Sequence, residues 1–317
     1  MEEQYLSDKH EKTISFFKSE GFLPLDNKSL PLLHKYKHSS VFQEKSITVF
    51  IAWQYAYFGH YKIINDCLCS VFFHNTQNVY WTIHRPREDS SYPLQPLIDT
   101  LGMLSKKAGL SYLQIKFIEE HLICEYQEVK GFPLQTYYSE DSSEYAYLLK
   151  DLTNLAGNVN SNKRSRIKKF LERQDISIRP ITKQNVGFCI DIESYWCSHQ
   201  DCSYCFSFFG CEKKAIEVIT DIFDESIHYG LFLYENEEPA AFIISERINE
   251  NLSFTYFGKS KISDGFAYLI YMMYKDHIND VAYMNINEDM GHPGIRRSKR
   301  LLGPYELWNK HVAVFEI

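Results

Sequence analysis

The second half of the chain contains three consecutive segments with the alternating apolar and aromatic pattern of β-strands, and this run limits the fold most strongly. The segments are Tyr229–Tyr234, Ala240–Ile248 and Leu252–Phe257. Ser263, Asp264 and Gly265 then start an apolar helix that reaches His277, and Val281–Ile286 forms a further strand. Strands that alternate with helices in this way predict a mixed sheet covered by helices, which is an α+β (mixed α/β) fold.

The first half has a similar mixture of elements, and a polar stretch separates the two halves. Apolar periodicity predicts helices over Ser7–Glu20 and Pro93–Gly109. Alternation predicts strands over Ile47–Phe58, Cys67–His74, Val79–Thr82, Leu113–Phe117 and Leu122–Tyr126. The composition turns polar at Ser139–Ser143. We therefore expect two domains, residues 1–145 and residues 146–317, because domains average about 150 residues.

Composition excludes several classes of protein. The 317 residues are 44% apolar and carry a net charge of −7, with acidic and basic residues in both halves. That apolar content is too high for a disordered chain. The sequence has no uninterrupted apolar stretch of membrane-spanning length, and its charged N-terminus lacks the apolar core of a signal peptide. Eight cysteines without a secretory signal indicate reduced thiols. We therefore expect a soluble, cytoplasmic protein.

Two basic segments stand out against the acidic average. Residues 162–173 read NKRSRIKKFLER, with six basic side chains and one acidic, and residues 296–300 read RRSKR. Local patches of this kind bind phosphodiesters even when the net charge of the protein is negative. The other interpretation is a solvated helix face, and the sequence alone leaves both open.

A strand, a loop and a helix start at residues 256–267 form the first candidate site. The segment reads YFGKSKISDGFA, with Tyr256 in the strand, Lys259 next to the loop and Gly265 at the helix start. Unpaired N–H groups at a helix start bind anions, and Lys259 is close enough in sequence to assist. The segment resembles the strand–loop–helix element of acetyltransferases, although the full glycine-rich pyrophosphate loop of coenzyme-A-dependent members is absent. The alternative is an ordinary capped helix.

Polar residues follow the strand Val281–Ile286 directly and form the second candidate site. Asn287, Glu288 and Asp289 come first, a glycine-containing loop follows, and cations that include Arg296 and Lys299 come next. Strand ends that open into polar loops are where mixed-sheet folds place their chemistry. Carboxylates beside cations suit a substrate with both an ammonium group and phosphates. A satisfied turn with a solvated helix is the alternative, and the number of polar side chains favours a site.

Half of the cysteines lie within one short segment. Cys197, Cys202, Cys205 and Cys211 have the spacing C-x4-C-x2-C-x5-C. Four thiolates can hold a tetrahedral zinc ion, but zinc sites usually pair two C-x2-C hooks and this segment has one. Free thiols in an aromatic-rich loop are therefore the main interpretation, with a structural zinc as the second. No other cofactor is expected.

Three segments in combination resemble one known family. Besides residues 256–267, the first matching positions are Asp151, Leu152, Leu155, Gly157, Lys163, Arg164, Ile167 and Phe170. The later matching positions are Asn287, Glu288, Asp289, Gly291, Gly294, Arg296, Lys299 and Pro304. On these positions the chain resembles the C-terminal-domain family of phosphatidylglycerol lysyltransferases, over about residues 145–317 and more loosely before them.

The resemblance implies a fold and an activity. The fold is two tandem acetyltransferase-like (GNAT-type) lobes, as in the Fem-type peptidoglycan aminoacyltransferases. The activity is an acyltransferase reaction that moves an aminoacyl group from aminoacyl-tRNA to an amine or hydroxyl, on a lipid head group or a small molecule. The chain departs from the family beside the lysine, where members carry a His and an acid and this chain carries Tyr256 and Gly258.

The reaction assigns roles to the matched residues, because an aminoacyl ester is already activated and needs only alignment and oxyanion stabilisation. The candidate catalytic residues are Tyr256, Lys259, Glu288 and Asp289. The candidate substrate-binding residues are Lys163, Arg164, Gly265, Asn287, Arg296 and Lys299. Lys259 would contact the oxyanion or a phosphate, the carboxylates would hold an ammonium group or act as base, and the other cations would bind tRNA phosphates. Two alternatives stay open: a coenzyme-A-dependent N-acyltransferase, and a non-catalytic lobe pair that binds RNA or protein.

Overall fold

Two compact units make up the chain. The computed structural model describes residues 8–33, 36, 46–54, 58–73, 79–85, 93–155, 160–199, 211–278 and 280–317. The first unit comprises Met1–Ser142 together with Trp308–Ile317, and the second comprises Ser143–Leu307. The predicted division after residue 145 lies close to the observed one, but it does not anticipate that the C-terminal segment returns to the first unit.

The first unit is a seven-stranded sheet with helices packed on it. Its elements are α1 (Asp8–Ser19), β1 (Leu23–Pro24), α2 (Leu30–Leu33), α3 (Ile47–Ala52), β2 (His60–Ile64), β3 (Cys67–Phe73), β4 (Val79–His84), α4 (Leu94–Lys107), β5 (Tyr112–Glu119), α5 (Ile123–Gln127), β6 (Leu134–Tyr138) and β14 (Lys310–Glu316). The order across the sheet is β1-β2-β3-β4-β5-β14-β6, with β4 and β5 parallel. Residues of α1, α4 and the sheet, including Phe17, Trp81, Leu101 and Phe315, form one core.

The second unit is also a seven-stranded sheet with helices on both faces. Its elements are β7 (Glu144–Leu148), α6 (Leu149–Asn154), α7 (Ser161–Leu171), β8 (Ile176–Pro180), α8 (Phe188–Cys197), α9 (Glu212–Asp221), β9 (His228–Glu235), β10 (Glu238–Arg247), β11 (Leu252–Ser260), α10 (Gly265–Met272), a π-helix (Met273–His277), β12 (Tyr283–Glu288), α11 (Pro293–Leu302) and β13 (Glu306–Trp308). The order across the sheet is β13-β7-β12-β11-β10-β9-β8, with β11 and β12 parallel.

The two sheets have the same strand order, position by position. Each sheet runs from an edge strand through antiparallel neighbours to a parallel strand that is reached through a helix, β5 in the first sheet and β12 in the second. The next position is filled by β14 in the first sheet and by β7 in the second. The first sheet is therefore completed by a strand that follows the whole second unit in sequence, and the matching strand orders indicate that the two lobes are structural repeats. The mixed α/β class and the two predicted acetyltransferase-like lobes are confirmed.

The strand predicted from Ile47 is wrong, because Ile47–Ala52 forms the helix α3. The hydroxyl of Ser46 accepts a hydrogen bond from the backbone N–H of Thr48 at 3.2 Å and caps the helix start. All six residues of the helix are buried. Packing on every side therefore outweighs the strand preference of its β-branched residues.

The strand predicted over Leu122–Tyr126 is also wrong. A 3₁₀ turn at Glu120–Leu122 leads into the helix α5 in its place. Leu122, Ile123 and Tyr126 pack against the first core at helical spacing, and this period decides the structure of the short apolar run. The other helices and strands predicted above that lie on described residues are confirmed, with ends that differ by a few residues.

Candidate functional site

The parallel strands β11 and β12 separate at their carboxyl ends and open the sheet of the second unit. Their register pairs Leu252 with Tyr283 and ends with Phe254 opposite Asn285, although β11 continues to Ser260. Clefts at the carboxyl ends of parallel strands are the usual ligand sites of such sheets. Both predicted site segments follow these strands, so the fold brings the two segments to the same edge.

A β-bulge at Tyr256 marks the point where β11 leaves β12. Phe257 faces Ile244 on β10 and Thr255 faces Ser245, so Tyr256 is the additional, unpaired residue. The Tyr256 ring lies 5.5 Å from that of Phe254, its side chain is buried, and its hydroxyl receives no hydrogen bond from the described residues. Bulges next to active sites redirect side chains, and a buried hydroxyl without a partner is costly unless a ligand binds it.

Gly258 explains why this chain has no acid at that position. A Cβ atom on Gly258 would lie 1.9 Å from an aromatic carbon of Phe266 on α10. A side chain there would therefore displace the Phe266 ring from its place against the sheet. Gly265, the first residue of α10, is similarly enclosed, because its Cβ would lie 2.4 Å from the Ser260 hydroxyl.

Lys259 lies among carboxylates and an indole ring, on the face of the sheet that carries α8 and α9. Its ammonium donates to Glu212 at 2.7 Å, lies 3.8 Å from Glu193, and lies 4.0 Å from the centre of the Trp196 ring. Burial lowers the pKa of Lys259, but the carboxylates of Glu212 and Glu193 outweigh it and hold the pKa above its usual value. The side chain is therefore a cation at neutral pH and cannot serve as a base.

Glu193 and Glu212 are site residues that the sequence reasoning missed. Glu193 is 1% exposed, and burial raises its pKa to about 7. A signal was present, since Glu193 shares the buried side of α8 with Cys189 and Ile192, and charged residues rarely occupy such positions without a partner. The sequence does not show that this partner is Lys259.

Asp289 anchors the loop after β12. Arg296 binds both carboxylate oxygens, at 2.7 and 2.8 Å, Tyr145 donates its hydroxyl at 2.5 Å, and the backbone N–H of Gly291 donates at 2.8 Å. Burial raises the pKa of Asp289, but these hydrogen bonds outweigh it and hold the pKa below its usual value. Asp289 and Arg296 therefore form a bidentate ion pair with each other, which favours a structural role for both residues.

Lys299 holds the end of β12 by its ammonium group. It donates to the carbonyl oxygens of Ile286, Asn287 and Glu288 at 2.6, 3.1 and 2.6 Å. Asn287 has a φ of 67°, in the left-handed region, and the three bonds stabilise this turn. The half-buried Glu288 side chain is the carboxylate that the strand end presents.

The predicted phosphate-binding residues of α7 also contact backbone carbonyls. Lys163 donates to the carbonyl of Leu302 at the end of α11 at 2.8 Å, and burial lowers its pKa. Arg164 donates to the carbonyl of Leu155 after α6. Exposed cations lie on the same two helices, notably Lys168 and Lys169 on α7 and Arg297 on α11. We call these three residues the basic surface.

The cysteine segment is only partly described. Cys197 ends α8 and its thiol donates to Glu193 at 3.4 Å, while Cys211 precedes α9. Cys202 and Cys205 lie outside the described residues, so the four-thiolate zinc site stays a prediction. Within the described ranges, no three His, Cys, Asp or Glu side chains are grouped so as to hold a metal ion. None of the helices in these ranges is long and apolar enough to cross a membrane.

Solved structures with the same fold span nearly the whole chain. A conserved protein of unknown function from Bacteroides thetaiotaomicron is 19% identical with a TM-score of 0.80, over 93% of this chain and 99% of that one. L-PGS from Bacillus licheniformis is 15% identical with a TM-score of 0.63, over 92% of each chain. FemX is 11% identical with a TM-score of 0.59, over 90% of this chain and 95% of that one. At sequence identities of 11–19%, the similarity shows that the fold is shared.

Sequence comparison extends this likeness from fold to family. No curated protein matches the sequence. The family described as phosphatidylglycerol lysyltransferase, C-terminal, matches residues 40–310, which include the cleft between β11 and β12 and all the candidate catalytic residues. The chain therefore belongs to the phosphatidylglycerol lysyltransferase C-terminal family and is an enzyme of the acyltransferase class.

Proposed function

We propose that this enzyme transfers an aminoacyl group from aminoacyl-tRNA to an amine or hydroxyl acceptor, on a lipid head group or a small molecule. The observation that carries the proposal is the separation of β11 and β12 at the Tyr256 bulge, in a chain of the lysyltransferase family. The family name describes lysyl transfer to phosphatidylglycerol, and the FemX structure shares the fold.

The residues of the cleft fit the transfer of an activated ester. The ester linkage of aminoacyl-tRNA needs no further activation, so the protein has to place the acceptor and stabilise the tetrahedral oxyanion. The buried hydroxyl of Tyr256 is a hydrogen-bond donor that no described residue uses. Glu288, at the end of the facing strand, is the carboxylate that would accept the proton of the acceptor.

The donor would be held by its phosphates at the basic surface. Lys168, Lys169 and Arg297 are exposed on α7 and α11, and Lys163 joins these two helices by its bond to Leu302. Cations on adjacent helices can follow the backbone of an RNA acceptor stem.

Coenzyme A is a less suitable donor. Asp264 occupies the N-cap position of α10, and its carboxylate pairs with Arg166 at 2.9 Å. A carboxylate at a helix start disfavours the binding of a pyrophosphate there, because the two anions repel.

The test is single-turnover transfer from total aminoacyl-tRNA, with the released amino acid and its adducts identified by mass spectrometry. We expect the purified enzyme to consume the aminoacyl ester faster than water does, in the presence of polar lipids or a mixture of small amines. Tyr256→Phe should lose at least about tenfold in rate, as removal of an oxyanion donor costs 10²–10³ in known cases. Glu140→Gln, at an exposed position of the first unit, is the matched control.

Parallel arms distinguish the alternatives. Acyl transfer from coenzyme A thioesters with no consumption of aminoacyl-tRNA would replace the proposed donor. Salt-sensitive tRNA binding without any loss of the aminoacyl ester would identify a binding protein and contradict the proposal.

A further inference from the structure

A cavity of about 570 Å³ lies in the second unit, at the end of the sheet opposite to the cleft. Its walls come from the junction of β7 and α6, from the π-helix, and from Val281 and Ala282. These two residues lead into β12, whose other end carries Glu288, so the strand separates the cavity from the cleft by about 20 Å. Cavities of roughly 300–1,000 Å³ hold small molecules. This cavity is therefore large enough for a ligand of its own.

The π-helix at Met273–His277 forms one wall of the cavity. π-Helices are rare and often occur at functional sites. The backbone N–H of Ile278 donates to the carbonyl of Met273 at 2.8 Å and closes the wide turn. Tyr274 is 1% exposed, and its hydroxyl is hydrogen-bonded to that of Ser253 at 2.6 Å in the core. Tyr274 therefore offers the cavity an apolar ring, because its polar group is already bonded.

The groups that join α6 to the start of β12 are also bonded already. The backbone N–H of Leu149 donates to the carbonyl of Ala282 at 2.9 Å. The Thr153 hydroxyl, which lines the same cavity, donates to the carbonyl of Leu149 at 3.0 Å. Polar recognition of a ligand is therefore left to the other polar side chains that line the cavity.

Those side chains are two ammonium groups and one amide. They belong to Lys150, Lys275 and Asn154, which are all exposed. No carboxylate of the described residues lines the cavity. Lys150 forms no ion pair with a described residue, although Asp151 follows it and Asp276 follows Lys275 in sequence. Two cations beside an apolar wall favour an anionic head group on an apolar body.

We propose that this cavity is a second ligand site, which binds a small carboxylate or phosphate with an aliphatic body. The anionic head would contact Lys150 and Lys275, and the amide of Asn154 would donate to it. The aliphatic body would lie against Tyr274 and Val281. The inference goes beyond the proposed function, because the cavity shares no residue with the cleft or with the basic surface.

Calorimetry with the full chain tests the site with octanoate, octyl phosphate and two matched probes. Octanamide keeps the aliphatic body without the charge, and inorganic phosphate keeps the charge without the body. We expect octanoate and octyl phosphate to bind, and both matched probes to bind at least about tenfold more weakly. The tighter of the two amphiphilic anions identifies the head group that the site prefers.

Variants at the lining residues test the position of the site. Lys150→Gln combined with Lys275→Gln should weaken both amphiphilic anions about tenfold, because two exposed charge contacts are lost. Ala282→Phe, at an exposed lining position, should fill the cavity and abolish binding. The control is Lys106→Gln combined with Lys107→Gln, two exposed lysines of the first unit. It changes the net charge equally and should leave binding unchanged.

Hydrogen exchange adds a readout that loose association with surface lysines would not change. Octanoate at saturation should slow exchange of the backbone amides over Met273–Ile278, because a ligand against Tyr274 stabilises the π-helix. Octanamide at the same concentration is the control and should have little effect.

Two results would overturn the inference. One is that neither octanoate nor octyl phosphate binds; the other is that they bind equally well to the wild type and to Ala282→Phe. Neither result concerns the proposed reaction, because none of these probes is an aminoacyl donor. Conversely, anion binding by a chain that never consumes aminoacyl-tRNA would retain this site and reject the proposed donor.

Discussion

Gly258 tolerates no side chain, because its Cβ would overlap Phe266. We expect Gly258→Ala to lower the free energy of unfolding by about 1–3 kcal/mol, the usual cost of overpacking a core. Urea denaturation would measure it. Gly187→Ala is the matched control, since its Cβ meets nothing within 4 Å. Adding Phe266→Leu should recover part of the loss, and additive losses in the double variant would contradict the proposed overlap.

Asp289 should make stability depend on pH in the acid range. The pKa of Asp289 is held below the usual value in the folded protein. Its contribution to the free energy of unfolding is therefore complete above the unfolded-state pKa of about 3.9, and it is lost as the pH falls through the folded-state pKa. Asp289→Asn leaves Arg296 without its bidentate partner and should cost about 3–5 kcal/mol at pH 7.

Urea denaturation of both proteins between pH 7 and pH 3 measures this dependence. The difference between wild type and Asp289→Asn should stay constant down to about pH 4 and shrink below it. The exposed Asp221→Asn variant is the control. A difference that grew toward acid pH would refute the assigned sign.

The helix α7 carries two kinds of cation: Lys163 bonds to a backbone carbonyl, whereas Lys168 and Lys169 are exposed. Lys168→Glu with Lys169→Glu should weaken tRNA binding and reduce the slope of log K against log salt by about 2, because two phosphate contacts are lost. Both side chains are exposed, and Lys168 forms an ion pair with Glu172 at 3.6 Å. The free energy of unfolding should change little.

Filter binding at several salt concentrations would measure that slope. The same reversal at Lys106 and Lys107, adjacent exposed lysines at the end of α4, is the control and should leave binding unchanged. Lys163→Met should instead lower stability, because it removes the bond to the carbonyl of Leu302. If Lys163→Met alone abolished binding in a fully stable protein, the motif residue would contact the phosphates after all.

Sequence patterns predicted the elements that pack one face against the core and expose the other face to solvent. The helix α4 keeps its apolar residues on one face, and the strands of the second meander follow their alternation. The helix α3 is buried all round, so its β-branched run carried no helical period to read. Lys259 was identifiable because it lies next to the loop between a predicted strand and a predicted helix start. Glu193 and Glu212 were not, because their contact with Lys259 joins residues that are distant in sequence and meet only through the fold.

The return of β14 to the first unit makes the first sheet depend on the C-terminal segment. Phe315 on β14 is fully buried in the first core, and Phe315→Ala should destabilise that unit by about 3–5 kcal/mol. Hydrogen exchange should become faster in β5 and β6, the two neighbours of β14, although they precede it by most of the chain. Val312→Ala, at a half-buried position of the same strand, should have a smaller effect. Unchanged protection of β5 and β6 would mean that β14 contributes little to the sheet.

The late position of β14 in the sequence also determines when the first lobe can fold during synthesis. The strand β6 ends at Tyr138 and β14 ends at Glu316, so the ribosome must add the whole second lobe before the first sheet can receive its seventh strand, β14. At about 5–20 residues per second this interval lasts roughly 10–40 s. Throughout it, the edges of β5 and β6 that β14 will join lack their partner, and such edges pair readily with other chains. During this interval, protection by a chaperone or fast synthesis of the second lobe would keep the open strand edges of the first lobe from pairing with other chains.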